Sequence, residues 1–447
     1  MNGGLKMKKA IAMLLTIALC LCSFVGCGKT ENTQTAPAPT AAAATAAAGA
    51  VPAGDMTLNM LSHTYAALTY FADQMVANAP DGVTVVPEMT DYTSWQEKMR
   101  LNLSSKSNAY DITYITPSDL GEFASNGWLV PLDDYIQKYW DEYNFGDIPQ
   151  YLWDAYTYDG HIYGIPSHQW AMDLFYRADL LDEAGIAVPE NLDQLVEAAK
   201  ALNKDGRSGI CLTLQATDML MVTYQSFLTA CGGWFWDDNY EPQFSSEASL
   251  RAIDYMLQLY QYTPDDCSSY GNNEATVAMC QDLCAMTMMQ TTRSAAMNDP
   301  AQSQVSGKIS FAAAPMDTKG GKSAAIWNTA GYSICASSTN DPETCFVTIA
   351  NALTEETEAG CVSITMPIRE SALTDELFAQ YPDYAAAWKA IQNGATIRPA
   401  IPEFAEIMDV SMTALSTVIT GQADLESTMQ AVDADVRDIL DEAGYYG

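Results

Sequence analysis

Basic residues are scarce in this sequence. Lys and Arg number 21 against 56 Asp and Glu, for a formal net charge of −35. Phosphate backbones are held by clusters of Lys and Arg, so this balance opposes a nucleic-acid role. It also disfavours a phosphorylated or anionic ligand, although Arg293 and Arg369 together could serve one. Only three histidines are present, which leaves little material for Ser-His-Asp chemistry or for a metal site. No Gly-x-Ser-x-Gly elbow, His-Glu-x-x-His pair or Gly-x-x-x-x-Gly-Lys loop occurs. Carboxylates abound, but no segment singles out an acid/base pair. The expectation is a protein without catalysis, metal or cofactor. Beyond the first residues no stretch is long and apolar enough to cross a bilayer.

The first residues carry an export pattern. Lys6, Lys8 and Lys9 precede an apolar run from Ala10 to Cys22, too short to span a membrane comfortably. The run ends in Phe24-Val25-Gly26-Cys27, which resembles a bacterial lipobox with Phe at the usual Leu position. Residues 1–26 are therefore expected to be a lipoprotein signal peptide, with Cys27 as the lipidation site. Residues 27–54 are rich in Ala, Thr and Pro and lack an apolar face, as suits a loose tether. The expected location is the extracellular face of the cell membrane, held by the lipid alone.

Roughly 390 residues follow, too many for one core and enough for two lobes. Eight cysteines lie in this part, and none forms a Cys-x-x-Cys pair. They read as small apolar core residues. Cys280 and Cys284 share a helical face, which is weak support for a metal.

Strand-like and helix-like segments alternate, as in an α/β fold. Met56–Leu61, Val83–Val86 and Asp111–Ile115 read as strands. Thr93–Ser104 reads as a helix with Trp95, Met99 and Leu103 on one face. After Thr116-Pro-Ser-Asp119 another helix opens, with Ser118 or Asp119 able to cap it. Pro189 to Asn203 reads as a helix with Pro in its first turn and Leu192, Leu195, Val196, Ala199 and Leu202 at helical spacing. Gly209–Leu214, Leu283–Met289 and Lys308–Ala312 read as strands. Phe346–Leu353 and Thr428–Ala443 read as helices.

Tyr158-Asp-Gly-His-Ile-Tyr-Gly-Ile-Pro166 is followed by Leu174-Phe-Tyr-Arg-Ala-Asp-Leu-Leu181, then by Gly185 and Pro189. This closely resembles family 1 of the extracellular solute-binding proteins. Gly127-Trp-Leu-Val-Pro-Leu132, Gly232-Gly-Trp-Phe-Trp-Asp-Asp238, Met366-Pro-Ile-Arg-Glu-Ser371 and Arg398-Pro-Ala-Ile-Pro-Glu-Phe404 resemble later family signatures. Gly209-Ile-Cys-Leu, Pro242-Gln-Phe244 and Lys308-Ile-Ser-Phe-Ala-Ala-Ala-Pro315 resemble the polyol-binding branch.

The resemblance implies a two-lobed periplasmic-binding-protein-like fold of type II. Lobe one is expected at 55–165 and 326–375, and lobe two at 170–320 and 376–447. It also implies a lipid-anchored substrate-binding component of an ABC importer, with permease subunits as partners and a monomeric state. The ligand would be a small carbohydrate, whether polyol, monosaccharide or short oligosaccharide. A secreted carbohydrate-active enzyme, a ligand-presenting sensor and a polyamine receptor are the alternatives.

A sugar needs stacked aromatics and hydrogen-bond partners for its hydroxyls. The ends of strands are where to seek them. His63 and Tyr65 follow the first strand, and Thr116 and Ser118 the third. His168, Gln169 and Trp170 follow Pro166 beside the first hinge. Trp327, Asn328 and Thr329 lie at the second. Gln290, Thr292 and Arg293 follow the Leu283–Met289 strand. Tyr92 and Arg369 complete the candidate set. Arg177 reads as a salt-bridge residue, and Arg398 is balanced between ligand and structure.

Overall fold

A computed structural model describes residues 56–318 and 321–446. Cys27, the leader and the tether lie outside the described residues. The strands are β1 (Met56–His63), β2 (Val83–Thr90), β3 (Ile112–Ile115), β4 (Thr157–Tyr158), β5 (His161–Ile162), β6 (Ile165–Arg177), β7 (Met286–Gln290), β8 (Ile309–Ala313) and β9 (Trp327–Ile334).

β1 takes parallel partners on both sides, β2 and β3. Such central strands need helices on the faces, and helices Ala66–Ala77 and Tyr92–Ser104 supply them. Trp95, Met99 and Leu103 are buried as their spacing predicts. β3 then pairs antiparallel with β9, and β9 with β6.

β6 is the element on which the architecture turns. Ile165 to Ala171 pairs with β9, and Met172 to Arg177 lies between β7 and β8. One strand thus belongs to two groups of strands, and its register shifts between Pro166 and His168. Gly331 lies opposite Pro166 where β9 crosses. A Cβ there would sit 2.5 Å from the Ile165 carbonyl oxygen and 2.9 Å from the Tyr156 ring, so this close approach requires glycine. The result is the α/β, two-lobed arrangement expected from the sequence.

Local chemistry moves several boundaries. The helix expected from Pro189 begins at Leu192, because the Asn191 side chain caps it by accepting from the Gln194 N–H at 2.9 Å. Leu192, Leu195, Val196, Ala199 and Leu202 face the core as expected. Helix Pro117–Ser125 has no side-chain cap, contrary to the expectation for Ser118 or Asp119. The Thr116 hydroxyl instead donates to the Asp119 carboxylate at 2.6 Å. Gly209–Leu214 is no continuous strand. The Gly209 and Ile210 N–H groups both turn to the Tyr262 carbonyl, leaving isolated bridges at Ser208 and Cys211.

Seven of the eight described cysteines are free thiols, and these seven are buried. Arg177 pairs with Asp179 and Asp282. No described helix is long and apolar enough to cross a membrane.

Candidate functional site

A cavity of about 380 Å³ opens where β6 and β9 cross. Trp170 from β6 and Asn328 and Thr329 from β9 form its floor. His63 ends β1, Thr116 follows β3, and Gln290 ends β7. Chain ends of strands from both groups thus converge on one space, as open α/β sheets require of a binding crevice.

The aromatic wall is held in place from behind. The Tyr65 hydroxyl lies 2.7 Å from His168 Nε2. On the other side of the imidazole, Nδ1 lies 3.0 Å from the Ser167 hydroxyl, which itself donates to the Ala330 carbonyl at 2.9 Å. Ser167 has spent its proton, so it accepts from Nδ1–H, and Nε2 accepts from Tyr65. Burial pushes the His168 pKa down to about 3, so the ring is neutral and this one tautomer satisfies every partner. The Phe71 ring stacks on His168 at 5.8 Å between centroids. The relay fixes Tyr65, whose hydroxyl keeps a lone pair for a ligand.

His63 packs against Tyr65, Tyr92 and Tyr114 at centroid distances of 5.1, 5.6 and 6.1 Å. Burial lowers its pKa, so it too is a neutral ring near pH 7. Burial likewise raises the phenol pKa values of Tyr65 and Tyr92, which stay protonated. The wall is uncharged, apolar on its ring faces and polar at its tips.

The polar side is denser. Asn328 Oδ1 accepts from the Thr329 N–H at 2.9 Å, which turns its amide N–H groups outward. Thr329 donates to the His168 carbonyl at 2.8 Å. Arg398 forms an ion pair with Asp218, and both line the cavity. Burial alone would depress the Arg398 pKa, but Asp218 outweighs it and holds the guanidinium above its ordinary range. Arg293 Nη1 donates to Asn273 Oδ1 at 3.2 Å.

Eleven of the fifteen sequence candidates thus share this cavity: His63, Tyr65, Tyr92, Thr116, Ser118, Trp170, Gln290, Thr292, Arg293, Asn328 and Thr329. His168 lies behind it, fully buried. Gln169 is fully buried as well, taking the Tyr151 hydroxyl at 2.6 Å and donating to the Pro367 carbonyl at 2.8 Å. Trp327 packs edge-on against Tyr151, 4.9 Å between centroids. Arg369 requires correction as a contact residue. It is 1% exposed, and its guanidinium donates to the carbonyls of Asn144, Tyr143 and Leu353 at 2.8–3.0 Å. These bonds tie loops together, Asp147 lies 3.9 Å from its Nη1, and its Nε has no acceptor among the described residues.

Sequence reasoning missed Asp218, Asn272, Ile364 and Thr365 as lining residues, and it did not commit Arg398. Asp218 and Asn272 each open a helix, where an acidic or amide residue is ordinary and carries no signal of a ligand.

A family model described as bacterial extracellular solute-binding protein matches residues 62–357. A mannitol-binding protein of Pseudomonas aeruginosa is 24% identical over 374 residues, covering 78% of this chain and 85% of that protein. A solute-binding protein of Agrobacterium radiobacter, solved with ribitol, superposes with a TM-score of 0.76 at 23% identity, over 87% of this chain and all of the other. One from Agrobacterium vitis, solved with D-mannitol, gives 0.73 at 22% identity, over 87% and 99%.

Proposed function

Since this chain belongs to the bacterial extracellular solute-binding protein family, we propose that it binds a small carbohydrate in the cavity at the β6/β9 crossing and delivers it to an ABC importer. The observation that carries this reading is the cavity itself: a cluster of aromatic rings and a set of hydrogen-bonding groups line one space. That combination suits a ligand with C–H faces and hydroxyl rims. The mannitol-binding relative and the neighbours holding ribitol and D-mannitol support a polyol or monosaccharide.

Three further readings belong to the same proposal. The lobes are 55–165 with 326–375, and 170–320 with 376–447, closing about β6 and β9 as hinges. Cys27 is the lipid-bearing residue of a membrane-tethered, monomeric receptor. The protein performs no catalysis, and permease subunits are its macromolecular partners.

A thermal-shift screen of the purified full chain tests the ligand class. Polyols, monosaccharides, oligosaccharides and polyamines are compared. A ligand that binds the folded state alone raises stability by about 2.7 kcal/mol at one hundred times its dissociation constant. The expected result is a rise with one polyol or sugar. A rise with polyamines alone transfers the ligand to the cationic class, and no rise with any of them contradicts the carbohydrate reading.

A further inference from the structure

The charge of the cavity is opposite in sign to that of the chain. Its lining holds two arginines and one carboxylate, Arg293, Arg398 and Asp218. Arg398 is neutralised by Asp218. Arg293 has no carboxylate partner among the described residues, and its Nε is buried without an acceptor. Burial is the sole influence on its pKa, which it lowers, so no acidic group offsets the cost of holding this charge. The Asp119 carboxyl does not line the cavity. Its oxygens accept from Thr116 and Gln96, and its charge acts on Arg398 and Tyr92 rather than on Arg293. His63 is neutral, as shown above. One positive charge is left over in a chain whose formal net charge is −35.

The backbone adds to the same sign. Four helices begin at the cavity, contributing Ala66, Ser118, Asp218 and Asn272 from their first turns. Each helix start carries a partial positive charge and N–H groups without helical partners. Gln290 is 8% exposed and lines the cavity, and its amide has no hydrogen bond among the described residues. Arg293 is half-buried with one neutral partner, Asn273, and a planar carboxylate matches a guanidinium's geometry with two parallel hydrogen bonds.

We propose that the ligand is a sugar acid, a polyhydroxy chain or ring bearing one carboxylate, and that Arg293 receives that carboxylate. This rests on the carbohydrate reading and narrows it. One surplus charge suits a carboxylate. A phosphate ester carries about −1.5 to −2 near neutrality and would leave negative charge unmatched. Asp218, Gln290 and Asn328 then remain for the hydroxyls, and Trp170 and Tyr92 for the carbon skeleton.

The test is calorimetric titration of the full chain with matched pairs: D-gluconate against D-sorbitol, D-mannonate against D-mannitol, and D-glucuronate against D-glucose. The acid of at least one pair is expected to bind at least about tenfold more tightly than its neutral partner. Arg293→Gln is expected to abolish that advantage, with a loss of affinity at least about tenfold larger for the acid than for its neutral partner. Arg293→Lys, which keeps the charge, is expected to retain part of it and serves if the first variant folds poorly. Tighter binding of every neutral member, or equal losses for both members in Arg293→Gln, overturns the proposal and leaves the carbohydrate reading intact. Absence of binding by every compound removes that reading and the acid with it.

Discussion

Three arginines, Arg293, Arg369 and Arg398, look alike along the chain and differ by what surrounds them. Arg369 donates to three carbonyls and lies 3.9 Å from Asp147, Arg398 pairs with Asp218, and Arg293 donates to one amide oxygen. Each partner lies far away in sequence, so no local pattern distinguishes the roles. The same applies to His168, whose neighbours in sequence gave no sign that Tyr65 would take its Nε2. Asp173 shows the converse, a residue whose place is costly. It is fully buried on β6, and neither carboxyl oxygen has a hydrogen-bond partner among the described residues. Burial, and then the neighbouring Asp383, raises its pKa well above the ordinary value. The folded state therefore holds a proton that the unfolded chain releases. Stability is free of this penalty below the ordinary aspartate value, and it falls as pH rises toward the raised one. Asp173→Asn lacks the titration. Denaturant midpoints are expected to converge for the two proteins near about pH 4 and to shift in favour of the variant by about pH 8. An equal offset at both pH values contradicts the assignment.

At the scale of elements, β1, β2, β3, β7, β8 and a few helices were legible because their apolar spacing is local, whereas β4, β5, β6 and β9 were not read as strands. Met56–His63 and Leu192–Leu202 follow that spacing closely. Gly209–Leu214 was not, because its apolar run is buried for a different reason: its N–H groups reach the Tyr262 carbonyl across the fold. The double membership of β6 was equally hidden. Thirteen residues of near-continuous burial do not reveal where one set of partners ends and the next begins. Gly331 marks that crossing. Gly331→Ala places a Cβ against the Ile165 carbonyl and the Tyr156 ring. The expected cost is about 1–3 kcal/mol of folding stability, read from denaturant unfolding. An unchanged midpoint would show that the strands separate freely there.

For the molecule as a whole, net charge and the charge of the cavity are separate quantities. The total of −35 describes the solvated surface, while the cavity carries its own local excess of positive charge. The family signatures brought the α/β, two-lobed fold within reach of the sequence, since they are spread along most of the chain. They could not show which candidates meet at the crossing, because that depends on how β6 threads between both groups of strands.

The most direct test of the central claim is calorimetric titration of wild type and Trp170→Ala with the alditols, aldoses and aldonates already named. Trp170 lies on β6 at the cavity floor and is partly exposed to it. The account predicts one molecule bound per chain by wild type and a loss of at least about tenfold in the variant, at an unchanged ligand-free melting temperature. Equal affinity for both proteins would place the ligand elsewhere and contradict the account.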